Sequence, residues 1–289
     1  MPYKLILGKR PEECGSRPPE QGKYYICAII RDEHPYIREW ALYHKGLGFD
    51  KIVLYDDRSS HPYDTELGDL MQEGFVEMRK WEGDQWSRQS RAYNDFVWSG
   101  DWSENDYCAF IDIDEFICFD TLKSIEEFMR YYAEFAGVGL SWRLYNANGH
   151  IRAPKGVPTM EAYTREFDYF EPRIKVIGRL KDIVCFPTVH HFLPARGRLV
   201  TTNNRTIYGM SGNYCDYTNG HIKHFLTKSW EDWVKRLKRG NITRGLRTVK
   251  MFFDFNPDLK KYEKELTKDL DLSEFPTIGK ETRLWDGDV

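Results

Sequence analysis

The amino-acid sequence predicts an α/β fold in which a mixed, mainly parallel sheet is flanked by helices. Through the first half of the chain, apolar segments of strand length alternate with segments whose apolar residues recur at helical spacing. This alternation favours a parallel sheet with right-handed crossovers. Acidic residues directly follow several predicted strands, which places a candidate site at the carboxyl edge of that sheet. With 289 residues, 41% of them hydrophobic, the chain can bury a sizeable core.

The predicted sheet begins after an irregular lead-in, residues 1–22, which is rich in proline, glycine and charged residues. The early strands are predicted at 24–30, 51–55 and 75–78. Between the first two strands, apolar residues at near-helical spacing predict a helix over 36–47, and Pro35 suits its first turn. A further helix is predicted over 87–98. These elements form the expected β-α-β half of the fold.

The later elements are shorter and less regular. Ser124 and Glu127 form a capping box, which predicts the start of a helix. Ser229 with Asp232 predicts the start of another, which carries aromatic and basic residues at helical spacing. Short strands are predicted at 138–142, 174–177 and 183–186. We expect a domain over 23–240, a nucleotide-binding half at 23–142, an acceptor half at 143–227 and a helical extension at 241–289.

Composition and charge exclude several classes of protein. A net charge of −3 and a pI near 6.3 argue against a protein that binds nucleic acid through bulk positive charge. No apolar run is long enough to span a bilayer, and residues 1–10 lack the apolar core of a signal peptide. The six cysteines lack the close paired spacing of a zinc or redox motif, and Cys27, Cys108 and Cys185 lie in apolar stretches. We therefore expect a cytoplasmic protein whose cysteines are small core residues.

The segment 107–116 is an apolar run that brings Asp112, Asp114 and Glu115 into one short turn, called here the acidic turn. Acidic side chains are rarely buried without a partner, and a divalent cation is a natural one. Oxygen ligands favour Mg²⁺ or Mn²⁺. Taken alone, an Asp-x-Asp sequence is better explained as a solvated turn. Extended geometry through this segment would place Glu115 on the opposite face from Asp114, in a supporting role.

Four features in order along the chain are more specific than the acidic turn alone. They are Arg31-Asp32-Glu33, Asp56-Asp57, the acidic turn and His221-Ile222-Lys223-His224-Phe225. The chain resembles GT-A-type glycosyltransferases of family 92 and the family 2-like group over about residues 24–240. The resemblance is carried by residues 32–36, 39–40, 43–44, 93–95, 110–116, 149–150, 224–225 and 227–229. Position 32 departs from the family pattern, which commonly has Asn there.

The resemblance implies a GT-A fold and roles for the carboxylates. Glu33 and Asp56 would hold the base and ribose of a nucleotide, which suits a carboxylate acceptor. The alternative is that these carboxylates cap helices or form turns. For Asp57 this structural role explains the residue nearly as well as a ligand role does, and for Asp56 it explains the residue less well. Asp112 would lie near the ribose or a metal-bound water, and Asp114 would coordinate Mn²⁺ or Mg²⁺.

A histidine often completes the metal site in the resembled family. His224 is the best match and His221 the runner-up, since imidazole is an acceptable manganese ligand beside carboxylates. His190 and His191 are a weaker pair. A lone histidine in an aromatic setting is commonly just a hydrogen-bonded core residue.

Basic and polar residues elsewhere are candidates for the diphosphate and the donor pocket. Three cations could meet phosphate oxygens: Arg88, Arg91 and Lys228. Three residues on one face of the helix at 87–98 could line the pocket: Gln89, Tyr93 and Asn94. Most surface cations have no such task, and core packing explains Tyr93 equally well.

The expected reaction is metal-dependent transfer of a sugar of the hexose class from a nucleotide-diphosphate donor to a hydroxyl of a glycan or lipid-linked glycan. By the resemblance, a UDP-sugar is the first choice of donor, and inversion is the expected stereochemistry. Asp168 is the predicted catalytic base, with Glu166 and Asp182 as further carboxylates of the same irregular half. No nucleic-acid partner is expected.

Two other functions remain open from the sequence. A metal-dependent hydrolase of glycosidic or nucleotide-sugar bonds would use Asp112 and Asp114 with water as the nucleophile. A glycan-binding module would use the aromatic residues, 15% of the chain, and would leave the acidic turn without a task. Residues 230–247 also suggest peripheral contact with an anionic membrane, although an amphipathic helix docked on the core explains them better.

Overall fold

The computed structural model describes residues 22–82, 87–167, 169, 171–209, 215–240 and 247–271. The chain divides into two compact units. The first consists of the described parts of Met1–Arg143 and Phe170–His224, and the second of those of Leu144–Tyr169 and Phe225–Val289. The first unit contains the whole acidic turn. The domain boundaries expected from the sequence stay predictions.

The first unit is built on one large sheet. The strands of the described chain are β1 (Tyr24–Ile30), β2 (Lys51–Asp56), β3 (Val76–Lys80), β4 (Tyr107–Phe110), β5 (Glu115–Phe119), β6 (Gly137–Leu144), β7 (Ile174–Arg179), β8 (Ile183–Thr188), β9 (His191–Pro194), β10 (Leu199–Thr201) and β11 (Gly220–His224). The sheet order is β3-β2-β1-β4-β7-β6-β11-β5, with β10 beside β6 and a separate β8-β9 hairpin. Helices of this unit are α1 (His34–Gly46), α2 (Asp64–Gln72), α3 (Arg88–Ser99) and α4 (Ile125–Arg130).

The parallel half of the sheet confirms the predicted α/β class. β3, β2, β1 and β4 run parallel to one another, and α1, α2 and α3 connect them. β1 is buried along its whole length, as expected for a parallel strand covered on both faces. Ile30 pairs with Asp56, so β1 and β2 end at one side of the sheet together with β4. We call this side the carboxyl edge.

The remaining strands bring residues from the second half of the sequence to the carboxyl edge. β7 is antiparallel to β4 with Val176 opposite Phe110, so the first residues of β7 lie beside the end of β4. β6 is antiparallel to β7 and therefore ends at the same edge. β11 is antiparallel to β5, with His224 opposite Glu115. The carboxyl edge thus joins segments far apart in sequence.

The run 107–116 is not one continuous strand. β4 ends at Phe110, the chain turns at Ile113 and Asp114, and β5 begins at Glu115. The turn interrupts the two-residue alternation on which the sequence-based placement of Glu115 depended. The carboxylate of Glu115 therefore lies with that of Asp114 and not on the opposite face.

Side chains of α1 bond the outer edge of β5, which is the last strand of the sheet. Trp40 Nε1 donates to the Glu115 carbonyl at 2.8 Å, and the Tyr43 hydroxyl donates to the Ile117 carbonyl at 2.7 Å. The Ile117 N–H donates to His44 Nε2 at 3.4 Å. Residues 115 and 117 point these backbone groups to the same side because a strand repeats every two residues. Three side chains thus take the place of a neighbouring strand.

The elements expected from the sequence occur close to their predicted positions. The predicted helices at 36–47 and 87–98 correspond to α1 and α3. The Ser124 side chain accepts from the Glu127 N–H, as a helix cap should. The short strands expected near 138, 174 and 183 are β6, β7 and β8. Cys27 and Cys108 are core residues as predicted, whereas Cys185 is only partly buried.

The second unit has its own apolar core. Its helices are α5 (Thr159–Ala162), α6 (Trp230–Arg239), α7 (Val249–Phe255) and α8 (Glu263–Thr267). α6 begins with the predicted capping box, in which Ser229 and Asp232 bond each other's backbone. Its aromatic face packs with α7 through Trp230, Trp233, Phe252 and Phe253. Among the described residues, no helix combines the length and apolarity needed to cross a bilayer.

His44 is a buried imidazole whose bonds require the neutral form. Its Nδ1 lies 2.9 Å from the Trp40 carbonyl and its Nε2 accepts from Ile117, so Nδ1 carries the proton. Burial lowers the pKa of His44 to about 3. Since the unfolded value is near 6.5, the unfolded chain takes up the proton first, and stability falls as the pH falls below about 6.5.

We expect His44→Gln to reduce the pH dependence of stability. When the pH is lowered from 7.5 to 5.5, protonation of this imidazole in the unfolded chain should lower the unfolding free energy of the wild type by about 1.4 kcal/mol. The unfolding free energy of the variant should fall by about 1.4 kcal/mol less than that of the wild type. Urea unfolding at the two pH values measures the difference. His61→Gln, which removes an exposed imidazole, should keep the wild-type difference. Equal losses in wild type and His44→Gln would contradict the assignment.

Candidate active site

Three buried side chains of the carboxyl edge form a group that could hold a metal ion. One donor atom from each of Asp114, Glu115 and His224 lies within 4.8 Å of the others. His224 Nε2 is 3.6 Å from Asp114 Oδ2. The pairing of His224 with Glu115 across β11 and β5 fixes the imidazole beside the acidic turn. The predicted pair Asp114 and His224 is thus brought together, and Glu115 joins it.

Asp112 is the more open carboxylate of the turn and has other partners. Its side chain is 32% exposed, against 8% for Asp114 and none for Glu115. Asp112 Oδ1 accepts a bond from Gln89 and lies 3.1 Å from the Lys175 ammonium. The Asp112 N–H donates to the Glu115 carboxylate at 3.1 Å, which closes the turn. Asp112 is therefore held in place as the carboxylate of the turn that is most accessible to solvent.

Lys175 is a site residue that the sequence reading missed. It is 1% exposed, and its Nζ lies 3.9 Å from Glu115 Oε1 as well as beside Asp112. Burial alone would lower the pKa of Lys175, but the two carboxylates outweigh burial and raise it. Burial raises the pKa of Glu115 well above its usual range, opposed by the charge of Lys175. The sequence did contain a signal for this residue, because a lysine within the apolar run 174–177 indicates a buried cation that needs an acidic partner.

An aromatic wall lies beside His224. The Trp142 ring is 4.5 Å from the His224 ring and 5.4 Å from the His190 ring. His190 Nδ1 bonds the Ile174 carbonyl, and burial together with the charge of Lys175 lowers the pKa of His190 to about 3. His190 is therefore a neutral wall residue. His221, the runner-up for the metal, lies 3.5 Å from Asp120 at the other end of β11.

The ends of β1 and β2 are shaped by short polar contacts. Asp56 accepts from the Ser59 N–H at 3.0 Å, and Asp32 accepts from the Ser60 N–H at 2.7 Å. These bonds are the turn-forming role that carboxylates often have at such positions. Glu33 lies at the start of α1, where its backbone carbonyl accepts the N–H groups of Tyr36 and Ile37, and its side chain is partly exposed. The nucleotide contacts of Glu33 and Asp56 stay predictions.

Asp57 is the fully buried carboxylate of the second strand end. Arg88 bonds it at 2.8 Å, and the Arg88 side chain is itself 9% exposed. The more exposed Arg58 approaches Asp57 at 3.4 Å. Arg88 thus has a charged partner inside the protein, and its predicted contact with phosphate is in addition to that pair.

The remaining candidate residues lie on α3 and in the second unit, and two of those on α3 tie that helix to neighbouring elements. Gln89 bonds both Asp112 and the Tyr93 hydroxyl, which ties α3 to the acidic turn. Asn94 bonds the Phe186 N–H and carbonyl and so anchors β8 on α3. Lys228 is buried in the second unit, and Arg91 is exposed. Asp168, the predicted base, lies outside the described residues.

The fold and this site are those expected of the GT-A type. The parallel strands end at acidic residues, and the Asp-x-Asp turn follows β4 beside a histidine from a later strand. The profile of glycosyltransferase family 92 matches residues 24–270. The chain belongs to that family.

Relatives in sequence include plant proteins of the same family. A glycosyltransferase family 92 protein of Arabidopsis thaliana is 28% identical over 100 residues, which cover 34% of this chain and 17% of that protein. One from Oryza sativa subsp. japonica is 24% identical over 139 residues, 46% of this chain and 23% of that protein. The chain therefore matches only a small part of each relative's length.

Solved structures show a remote likeness. S. aureus TarS 1-349 has a TM-score of 0.40 at 14% identity, over 87% of this chain and 76% of that one. Glucosyl-3-phosphoglycerate synthase from Mycobacterium tuberculosis, in complex with Mn²⁺, UDP and glucosyl-3-phosphoglycerate, has a TM-score of 0.33 at 13% identity, over 61% and 63%.

We expect Arg88→Met to destabilise the first unit by about 3 kcal/mol, because it leaves the buried Asp57 carboxylate without its main cation. The double variant Asp57→Asn/Arg88→Met should be more stable than Arg88→Met, since it removes both charges. Urea unfolding measures both. Lys45→Met, which breaks an exposed pair with Glu73, is the control and should have little effect. A small loss for Arg88→Met would show that Asp57 does not depend on this pair.

Proposed function

We propose that this protein is a metal-dependent glycosyltransferase that moves a sugar from a nucleoside-diphosphate donor to a hydroxyl of a glycan or glycoconjugate. The observation that supports it most directly is the buried group of Asp114, Glu115 and His224 at the carboxyl edge of a family 92 chain. A UDP-sugar is the first choice of donor, and inversion is the expected stereochemistry. Both follow from the family resemblance.

The side chains of the group fit a divalent cation. Two carboxylates and one imidazole offer donor atoms within 4.8 Å of one another, a spacing that one ion can bridge. Burial of Glu115 without a full counter-charge is costly, and a cation there would relieve that cost. Carboxylates suit Mg²⁺ and Mn²⁺, and the added imidazole favours Mn²⁺. When bound, the ion would stabilise the negative charge of the departing diphosphate.

The protein's own residues would bind the donor and move the proton. Asp112, the most accessible carboxylate of the turn, would accept bonds from ribose hydroxyls. Glu33 and Asp56 would hold the base and ribose, and Arg88 the phosphates. The phosphate contact of Lys228 stays a prediction. As the acceptor oxygen bonds the anomeric carbon, the bond to the diphosphate breaks and a carboxylate takes the hydroxyl proton. We assign that proton transfer to Asp168.

A nucleoside diphosphate with Mn²⁺ should stabilise the wild-type protein, and Asp114→Ala should abolish the effect. At a hundred times the dissociation constant, UDP with Mn²⁺ should raise Tm by roughly 5 °C in a thermal melt. Asp64→Ala, which removes an exposed carboxylate from the start of α2, is the control and should retain the rise. No rise with any nucleoside diphosphate, or a full rise in Asp114→Ala, would count against the proposal.

A donor screen would then separate transfer from hydrolysis. Release of nucleoside diphosphate that rises with added glycan acceptor, together with loss of the acceptor hydroxyl, identifies a transferase. Release of free sugar at the same rate with and without acceptor would identify a hydrolase instead. A lipid-linked acceptor and peripheral membrane contact belong to the same proposal. Liposome flotation that retains no protein would remove the membrane contact.

A further inference from the structure

Lys175 is almost completely buried, yet the proposed reaction gives it no direct task. Its ammonium group lies 3.1 Å from Asp112 Oδ1 and 3.9 Å from Glu115 Oε1. It reaches them because β7 runs antiparallel beside β4, which places the start of β7 next to the acidic turn. A buried lysine is costly unless it is paired, so its presence at this point calls for a reason.

The charges of the acidic turn suggest that reason. Asp112, Asp114 and Glu115 bring three carboxyl groups into one turn, and the Lys175 ammonium lies beside two of them, Asp112 and Glu115. Without the lysine, Asp112 and Glu115 would lose a neighbouring cation, and repulsion between ionised carboxylates would oppose assembly of the turn.

We propose that Lys175 is a positioning residue that acts as an internal counter-cation. It holds Asp112 and Glu115 in place when no divalent ion is bound, and it competes with the ion for those carboxylates when one binds. The inference rests on the proposed function, because it takes the acidic turn to be a divalent-cation site. It implies a turn that stays assembled without metal and that binds metal less tightly than its three carboxylates would alone.

Lys175→Met tests the inference without an activity assay. Methionine keeps most of the buried stem and removes only the charge. In metal-free buffer the variant should melt lower by roughly 5 °C or more, because the carboxylates have lost their cation. Its affinity for Mn²⁺, measured by titration calorimetry, should be tighter by about tenfold or more, since a like charge beside the ion is gone. A lysine with only a structural role would lower Tm and leave the affinity unchanged.

Two further variants control the experiment. Lys51→Met removes a lysine that pairs with Glu77 at the opposite end of the parallel strands, and it should bind Mn²⁺ as the wild type does. Lys175→Met/Asp112→Asn removes one charge of each sign, so its metal-free Tm and its Mn²⁺ affinity should both return toward the wild-type values. If neither the Tm nor the Mn²⁺ affinity of the double variant returns toward the wild-type value, charge balance does not explain the effects of Lys175→Met.

The outcomes separate this inference from the proposed function. If wild-type Mn²⁺ binding requires Asp114 but Lys175→Met binds Mn²⁺ no more tightly, the inference on Lys175 is wrong and the metal site stands. If Mn²⁺ binding is absent or independent of Asp114, the metal site fails and the inference fails with it. If Lys175→Met stays unfolded both with and without Mn²⁺, the lysine is structural, because the added ion does not replace it.

Discussion

The ion pair between Lys175 and the acidic turn lies where the ends of several strands converge, and the geometry of the site follows from the cost of burying its carboxylates. Asp114 and Glu115 are too little exposed for water to solvate their charged forms. Each therefore needs a cationic or polar neighbour supplied by the fold. Lys175 serves one side of the turn, and His224 borders the other.

The mixed topology of the sheet makes this arrangement possible. A purely parallel sheet would bring only the residues that follow β1, β2, β3 and β4 to the carboxyl edge, and the charged ones among these are chiefly acidic. The antiparallel β7 reverses the chain and presents its first residues at the same edge. β11 then adds His224 opposite the first residue of β5. Basic, acidic and aromatic side chains meet because strands of both directions end at one place.

Much of this could be predicted from local sequence, and the rest could not for identifiable reasons. Apolar periodicity predicted the parallel half of the sheet, and family resemblance selected His224 as the neighbour of Asp114, which the structure places 3.6 Å apart. Lys175 was missed because the pairing of β7 with β4 joins segments with no local relation. Glu115 was misplaced because the alternation of a strand cannot be extended through a turn. The metal, the nucleotide and the base stay predictions.

The contacts of α1 with β5 have a consequence for how this protein can associate. A terminal strand normally offers a row of backbone donors and acceptors on which another chain can add a strand. Here Trp40, Tyr43 and His44 already occupy the groups of residues 115 and 117. Strand addition at this end would require α1 to detach first. While α1 stays in place, residues 115 and 117 are therefore closed to an added strand, whether it comes from a second copy or from a partner.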